Sequence, residues 1–258
     1  MSSITALGVV LLVLMILVGG KQGWLAFLSL ILNFGFLYFA LLLIALQVPA
    51  IWVATVLGMV MLAITIFMGE DDLNTTIPAF LTACIVAFSL LLIIYGVEHL
   101  EMVQGFSLED SDDLEGMSLA LGVSFLDVTI AATFLSTLGA IAEVAMAIAA
   151  GLTEILSNHP KLPNVRFFQN GMMIGKQIIG TTLNTLFFGF VGGLLSLLIW
   201  FLGLHYSLGT ILNNKIFVHE AILVLISFLA VILTVPVTAL VVICRRNHLK
   251  IDPARPLV

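Results

Sequence analysis

Charge is what this sequence has least of. Only 9% of its 258 residues are Asp, Glu, Lys or Arg, whereas soluble domains carry roughly 25%. Hydrophobic residues make up 61% of the chain, and the mean hydropathy is +1.23. No polar stretch is long enough to form a soluble domain, so the composition predicts one integral membrane domain over residues 1–258. The bases form no cluster of the kind that binds nucleic acid.

Cysteine is also scarce, and the motifs of common enzymes are missing. Cys84 and Cys244 fall in different predicted helices, so neither a disulfide framework nor a zinc site is expected. The five histidines are scattered without metal-ligand spacing. The sequence contains no H-E-x-x-H, no G-x-S-x-G and no P-loop. We therefore predict that the protein is not an enzyme and uses no cofactor or metal.

Long apolar runs dominate the sequence instead. A transmembrane helix needs about 20 mostly apolar residues, and turn signals such as Gly19-Gly20-Lys21 and Pro49 separate the runs. The pattern predicts an all-α, polytopic transmembrane helix bundle. About seven spans are expected, at residues 4–20, 24–46, 51–68, 77–96, 117–138, 183–204 and 221–244.

An acidic segment lies between the fourth and fifth predicted spans. Seven of the fifteen acidic residues fall within residues 98–116. Asp110, Asp112 and Asp113 suggest a calcium loop, but the EF-hand pattern fails because Leu114 occupies the position of a ligand. We interpret the segment as a solvated outer loop that contains a short surface helix.

The distribution of Lys and Arg predicts the orientation of the chain. Short loops that carry most of the bases face the cytoplasm. With seven spans, the inner bases are Lys21, Lys161, Arg166, Lys176, Arg245, Arg246, Lys250 and Arg255, and only Lys215 lies outside. This bias predicts a multi-pass protein of the plasma membrane, with its N-terminus out and its C-terminus in.

Residues 139–182 do not form a clean span in this layout. Two helical pieces flank a turn that contains Pro160 and Pro163. This pattern predicts a pair of discontinuous helices that either re-enter the bilayer or lie on its inner surface. Irregular backbone at membrane depth is tolerated only where it is buried in protein or lines water, so we expect this stretch to be the functional part.

Two acids define a stripe on the first helical piece. Glu143 and Glu154 are eleven residues apart, which places them about 20° apart around a helix. Ala147, Ala150 and Gly151 lie on nearly the same face, and small residues allow helices to approach closely. We interpret Glu143 as a cation or proton site and Glu154 as an interfacial residue. Asp127, midway along the fifth predicted span, is either another ionisable site or a structural hydrogen-bonding group.

The second helical piece has a polar edge. Asn170, Gln177 and Asn184 recur every seven residues. Lys176 is a cation that needs an acidic partner within the membrane, either Glu143 or Asp127. The candidate substrate- or ion-binding residues are thus Asp127, Glu143, Lys176, Gln177, Thr181 and Asn184, and the candidate helix-packing residues are Gly171, Gly175 and Gly180.

Two motifs in this region resemble a known family. G-A-I-A-E-V at residues 139–144 and N-G-M-M-I-G-K-Q-I-I-G-T-T-L-N-T at residues 170–185 resemble the YibE/F family of bacterial integral membrane proteins. The family pattern is G-A-x-x-D-V, then G-M-N-I-G-R-D-x-x-G-T-x-x-N-T-L. Glu143 stands at the family acid and Lys176 replaces the usual Arg, whereas Met173 and Gln177 depart from the usual Asn and acid. The other matching positions are Gly171, Gly175, Gly180, Thr181, Asn184 and Thr185.

The resemblance is specific over about residues 119–201 and implies more about architecture than about activity. A chain of this length is more similar to the YibF type, which implies a paralogous partner of the YibE type. We expect a subunit of a membrane transporter or permease whose polar site lies at the discontinuous helices. The alternative is a non-transporting assembly or anchoring subunit, in which the polar stripe docks a partner in a homo- or hetero-oligomer.

Overall fold

The computed structural model describes residues 3–101, 122 and 124–246, and all the regular elements within them are helices. In chain order these are α1 Ser3–Ala45, α2 Ala50–Gly69, α3 Leu73–Glu101, α4 Phe125–Asn158, α5 Asn164–Gly203, α6 Leu208–Leu212 and α7 Lys215–Arg245. Six of these helices, all but the short α6, are long and apolar enough to cross a membrane. The predicted all-helical membrane protein is thereby confirmed.

The first helix bends sharply at Gly20. Its backbone there has φ +53° and ψ −128°, a conformation that residues other than glycine rarely adopt. The bend brings Gly23 against the backbone of Met15, although residues eight apart in a straight helix are separated by about 12 Å. The predicted spans 4–20 and 24–46 therefore lie on either side of this bend in α1.

The most buried element is α4, which packs against α2, α3, α5 and α7. Sixteen of its 34 residues are buried, and many of these are alanines such as Ala142, Ala145 and Ala149. Small side chains let several helices approach α4 at once. The remaining long helices are more peripheral: α1 lies along α2, and the second half of α5 is largely exposed.

Hydrogen bonds between helices fix their directions. Thr153 Oγ1 at the end of α4 donates to the carbonyl oxygen of Asn74 at the start of α3, at 3.4 Å, so these helices are antiparallel. At the same end, Arg246 Nη1 donates to Leu162 O at 2.6 Å and to Asn164 Oδ1 at 2.9 Å. We call this end of the bundle, which contains residues 70–72, the linker 159–163 and Arg246, the basic end.

The turn between the two helical pieces lies where Pro160 and Pro163 predict it, but the expectation that these pieces are discontinuous helices is wrong. Residues 139–156 continue the helix that begins at Phe125, and residues 164–182 begin a helix that runs on to Gly203. Polar side chains such as Glu143 and Glu154 leave the backbone hydrogen bonds of a helix intact, so they do not break it. The break between the two helices lies at residues 159–163, where two prolines occur. With 34 and 40 residues, α4 and α5 are roughly 50 and 60 Å long.

The acidic segment also begins later than predicted. Residues 98–101 belong to α3, and the side chain of Glu98 is fully buried rather than solvated. The rest of the predicted loop and its short helix lies outside the described residues. The fifth predicted span, 117–138, also starts too early, because the helix begins at Phe125 after an N-cap at Ser124.

Candidate functional site

One face of the central helix is left uncovered. Apart from Asn158 at its last position, the exposed residues of α4 recur every three or four positions, and they occupy a sector only about 80° wide. They are Ala132, Ser136, Gly139, Glu143, Ala147, Ala150, Glu154 and Ser157. We call these eight residues the α4 stripe. Except for the two glutamates, every residue in it is small.

The α4 stripe is the floor of a groove between α2 and α5. On one side, a Cβ at Gly58 of α2 would lie 2.9 Å from the side chain of Leu138 on α4. On the other side, a Cβ at Gly151 of α4 would lie 2.8 Å from Ile174 of α5. Both helices therefore pack closely against the flanks of α4, and we call the channel between them the α4 groove.

A polar edge of α5 lies level with Glu143. Gly151 meets Ile174 and Leu152 meets Gly171, so α4 and α5 run antiparallel. Glu143 lies eight residues before Gly151 on α4, and it is therefore level with the residue eight positions after Ile174 on α5, which is Thr182. Thr181 and Asn184 are exposed at that level. Thr181 Oγ1 donates to the carbonyl oxygen of Ile178 at 2.9 Å, and Asn184 Nδ2 donates to that of Gly180 at 2.9 Å. These bonds leave the amide oxygen of Asn184 and the lone pairs of Thr181 available.

The polar edge extends along α5 toward the basic end. Gln177 is exposed, and at 100° per residue it lies between Thr181 and Lys176 around the helix. Asn170 is half-buried about two turns nearer the basic end. Glu143, Thr181, Asn184 and Gln177 are therefore the predicted site residues that the fold brings to one groove.

Lys176 lies on a different side of α5. It lines a shallow cavity of about 280 Å³ together with Phe168, Gln169, Met172 and Met173. Both Lys176 and Glu143 are exposed, and within the described residues neither side chain makes a hydrogen bond or an ion pair. The predicted buried pair between them is therefore not formed within this chain.

Asp127 is at the end of a helix rather than at its centre. It lies in the first turn of α4, where its backbone N–H donates to Ser124 Oγ at 3.3 Å. A carboxylate in the first turn interacts favourably with the helix dipole. Sixteen residues, or about 24 Å along the helix, separate it from Glu143. The fold therefore gives Asp127 a position suited to helix capping, remote from the other predicted site residues.

The three predicted packing glycines have different surroundings. A Cβ at Gly171 would lie 2.9 Å from Ala239 of α7 and 3.1 Å from Leu152 of α4. Gly175 is equally tight, because a Cβ there would overlap the side chain of Val235. Gly180 has nothing within 4 Å of that position, so it faces outward from the described part of the chain.

Sequence reasoning missed one ionisable residue. Glu98 is fully buried between helices, and its Oε1 accepts a hydrogen bond from Thr133 Oγ1 of α4 at 3.0 Å. An ionisable group inside a membrane protein is costly and is often functional. The signal that could have found it is the pair of apolar residues Val97 and Leu100 on either side of Glu98 and His99, which extend the fourth predicted span by one turn.

The fold and the groove define a helical integral membrane protein with ionisable residues among its membrane-type helices. The family model described as YibE/F-like protein matches residues 7–247, which is nearly the whole chain. The protein therefore belongs to the YibE/F-like family, and the resemblance noted in residues 139–185 is confirmed. No curated protein and no solved structure gives a match to the chain.

Proposed function

We propose that this protein is a subunit of a bacterial membrane transporter whose substrate or coupling ion passes along the α4 groove. The observation that carries the proposal is Glu143, an exposed carboxylate in the middle of the most buried helix. Facing lipid, such a group would be strongly unfavourable. Water or a polar cargo in the groove removes that cost.

The roles of the groove residues follow from their chemistry. Glu143 binds a cation or carries a proton, since a carboxylate supplies both charge and a protonation site. Thr181 and Asn184, at the same level on α5, supply hydroxyl and amide groups that hydrogen-bond to a polar cargo. Gln177 extends this lining toward the basic end. The small residues of the α4 stripe keep the path open.

The groove is open on the side away from α4, so a second polypeptide is needed to close it within a bilayer. The family resemblance implies a paralogue of the YibE type, and another copy of this chain is the other choice. The orientation that we propose places the basic end in the bacterial cytoplasm, because Lys161, Arg166 and Arg246 lie there.

A second function is supported by a specific observation. Six of the eight α4 stripe residues are Ala, Gly or Ser, the composition that lets two membrane helices pack closely. A non-transporting assembly or anchoring subunit would use the same stripe as a dry docking surface. The two functions differ in whether the stripe is wet in the assembled protein.

Water access to the stripe tests the proposal. We would replace both native cysteines (Cys84→Ala, Cys244→Ser) and introduce Ala147→Cys in the groove. Leu225→Cys on α7, which is 60% exposed on an apolar surface, serves as the lipid-facing control. In native membranes, a charged thiol reagent should label the groove cysteine and leave the control unlabelled. If both stay unlabelled while the protein is assembled, the groove is dry and the docking function replaces transport.

Substitution of the acid gives an independent test. Glu143→Gln keeps the shape of the side chain and removes its charge, so it should abolish transport while assembly is retained. Full cellular function in a correctly assembled Glu143→Gln variant would show that Glu143 is not a functional residue of the groove.

A further inference from the structure

Two exposed faces of this chain carry opposite charges in matching positions. The first is the α4 stripe, with Glu143 and Glu154. The second, which we call the α5 outer face, lies opposite Gly171 and Gly175, the glycines that contact α7; it consists of Arg166, Gln169, Met173, Lys176 and Gly180, all of which are exposed. Neither face is covered by another described part of the chain.

The spacing of the charges is nearly the same on the two faces. Glu143 and Glu154 are eleven residues apart, and Arg166 and Lys176 are ten apart, which corresponds to about 16 Å and 15 Å along their helices. Their order is also the same, since Glu154 and Arg166 are the members nearer the basic end. The two bases therefore match the two acids in axial spacing and order, although the bases lie about 80° apart around α5 and the acids about 20° apart around α4.

The heights of the charges also agree. Counting from the contact of Gly151 with Ile174 along the two antiparallel helices, Lys176 lies level with Ala149 of α4. Arg166 lies level with position 159, just beyond the end of α4. Each base is thus five or six residues nearer the basic end than its acid, or roughly 8 Å along the axis. The offset is common to both pairs, and the long, flexible basic side chains must extend along the axis toward the acids to bridge it.

We infer that the α5 outer face of a second copy of this protein forms the missing wall of the α4 groove, so that Lys176 of one copy faces Glu143 of the next. The small residues of the stripe allow the neighbouring helix to approach, and Gly180 offers it a surface without a side chain. The contact joins two different faces, so each copy can bind one neighbour on either side, and the assembly is a ring if it closes.

This arrangement accounts for the separation of Glu143 and Lys176 within the chain. Each side chain is exposed and makes no ion pair among the described residues, which is unfavourable for both in a bilayer. Pairing between copies satisfies both charges and supplies the missing wall of the groove. The inference concerns assembly, and it holds whether the closed groove conducts a substrate or not.

Cysteine cross-linking tests the contact between the two faces. In the background without native cysteines, Ala150→Cys marks the stripe and Met173→Cys marks the outer face at the same height; Met173 is 61% exposed. Two differently tagged chains, each with one of these substitutions, should form a mixed dimer on oxidation in membranes. Each substitution alone should give no dimer, and a chain that carries both should give a ladder of oligomers.

The control pairs Met173→Cys with Leu92→Cys, a residue of α3 that is 77% exposed, and measures random collisions. Mixed dimers no more abundant than in this control would overturn the inference. Self-dimers of Ala150→Cys would also overturn it, because they indicate that two copies of the stripe face each other. A cross-link from Ala150→Cys to a different protein would overturn it as well, because that protein would then cover the stripe.

Charge reversal tests the pairing itself. Glu143→Lys should reduce mixed-dimer formation at least about tenfold, because truncating or reversing one member of a buried ion pair is strongly unfavourable. Combining Glu143→Lys with Lys176→Glu should restore the yield to near that of the unchanged pair. A double reversal that stays as weak as Glu143→Lys would refute the assigned pair.

Discussion

Replacing Gly175 by alanine should destabilise the protein through a single added methyl group. A Cβ at this position would overlap Cγ1 of Val235 and lie 3.0 and 3.1 Å from its Cγ2 and Cβ. Val235 is 1% exposed and, as a β-branched residue in a helix, has one strongly preferred rotamer. The valine therefore cannot rotate away, and α5 must shift from α7.

Overpacking of this kind costs about 1–3 kcal/mol, which is roughly a 5- to 150-fold change in the unfolding equilibrium. Reversible unfolding in mixed micelles of increasing denaturing detergent would measure it. Gly180→Ala is the matched control, because nothing lies within 4 Å of its added Cβ. The combination of Gly175→Ala with Val235→Ala should recover part of the loss.

Equal stability of the Gly175→Ala and Gly180→Ala variants would refute this reasoning. It would mean that α5 can move away from α7 without cost, so that the contact at Gly175 does not determine where α5 lies. A loss in Gly175→Ala that the Val235→Ala change fails to relieve would place the steric conflict elsewhere.

Three further predictions concern other parts of the bundle. Gly20→Ala should cost roughly 1–3 kcal/mol in the same unfolding assay because φ is positive there, whereas Gly19→Ala should be tolerated. Thr133→Val should cost about 1–3 kcal/mol, because it removes a hydroxyl donor from the buried carboxyl of Glu98; a neutral result would show that the hydrogen bond is dispensable. Arg246→Met should loosen the linker between α4 and α5 by about 1.5–3 kcal/mol and speed its proteolysis roughly tenfold or more, and unchanged cleavage would contradict that role.

Much of the fold could be predicted because membrane helices are defined by length and hydropathy. The break near Gly20, the helix over residues 50–69 and the helix that ends at Arg245 all follow from apolar runs and turn residues. The predictions fail where polar residues interrupt an apolar run. A helix backbone satisfies its own hydrogen bonds with any side chain except proline, so Glu143 does not end a helix, and Glu98 does not mark the start of a loop.

The site could be predicted only in part for a similar reason. Helical periodicity correctly places Glu143, Ala147, Ala150 and Glu154 on one face, because that depends on one helix. Gly151, which is predicted on the same face, instead packs against Ile174 of α5. Whether Lys176 reaches that face depends on how α5 is rotated against α4 and α7. The rotation is determined by tight contacts such as that of Gly175 with Val235, which a single sequence does not reveal.

The two glycine contacts of α5 together select one register. Gly171 accepts Ala239 and Gly175 accepts Val235, one helical turn apart on each helix. A slip of one turn in either direction would keep a glycine opposite one of these α7 residues but set the other against Phe167 or Ile179. Both glycine contacts therefore form together only in the observed register of α5 and α7. The alignment of Thr181 and Asn184 with Glu143 across the groove is consequently set from the far side of α5, by residues that never touch the groove.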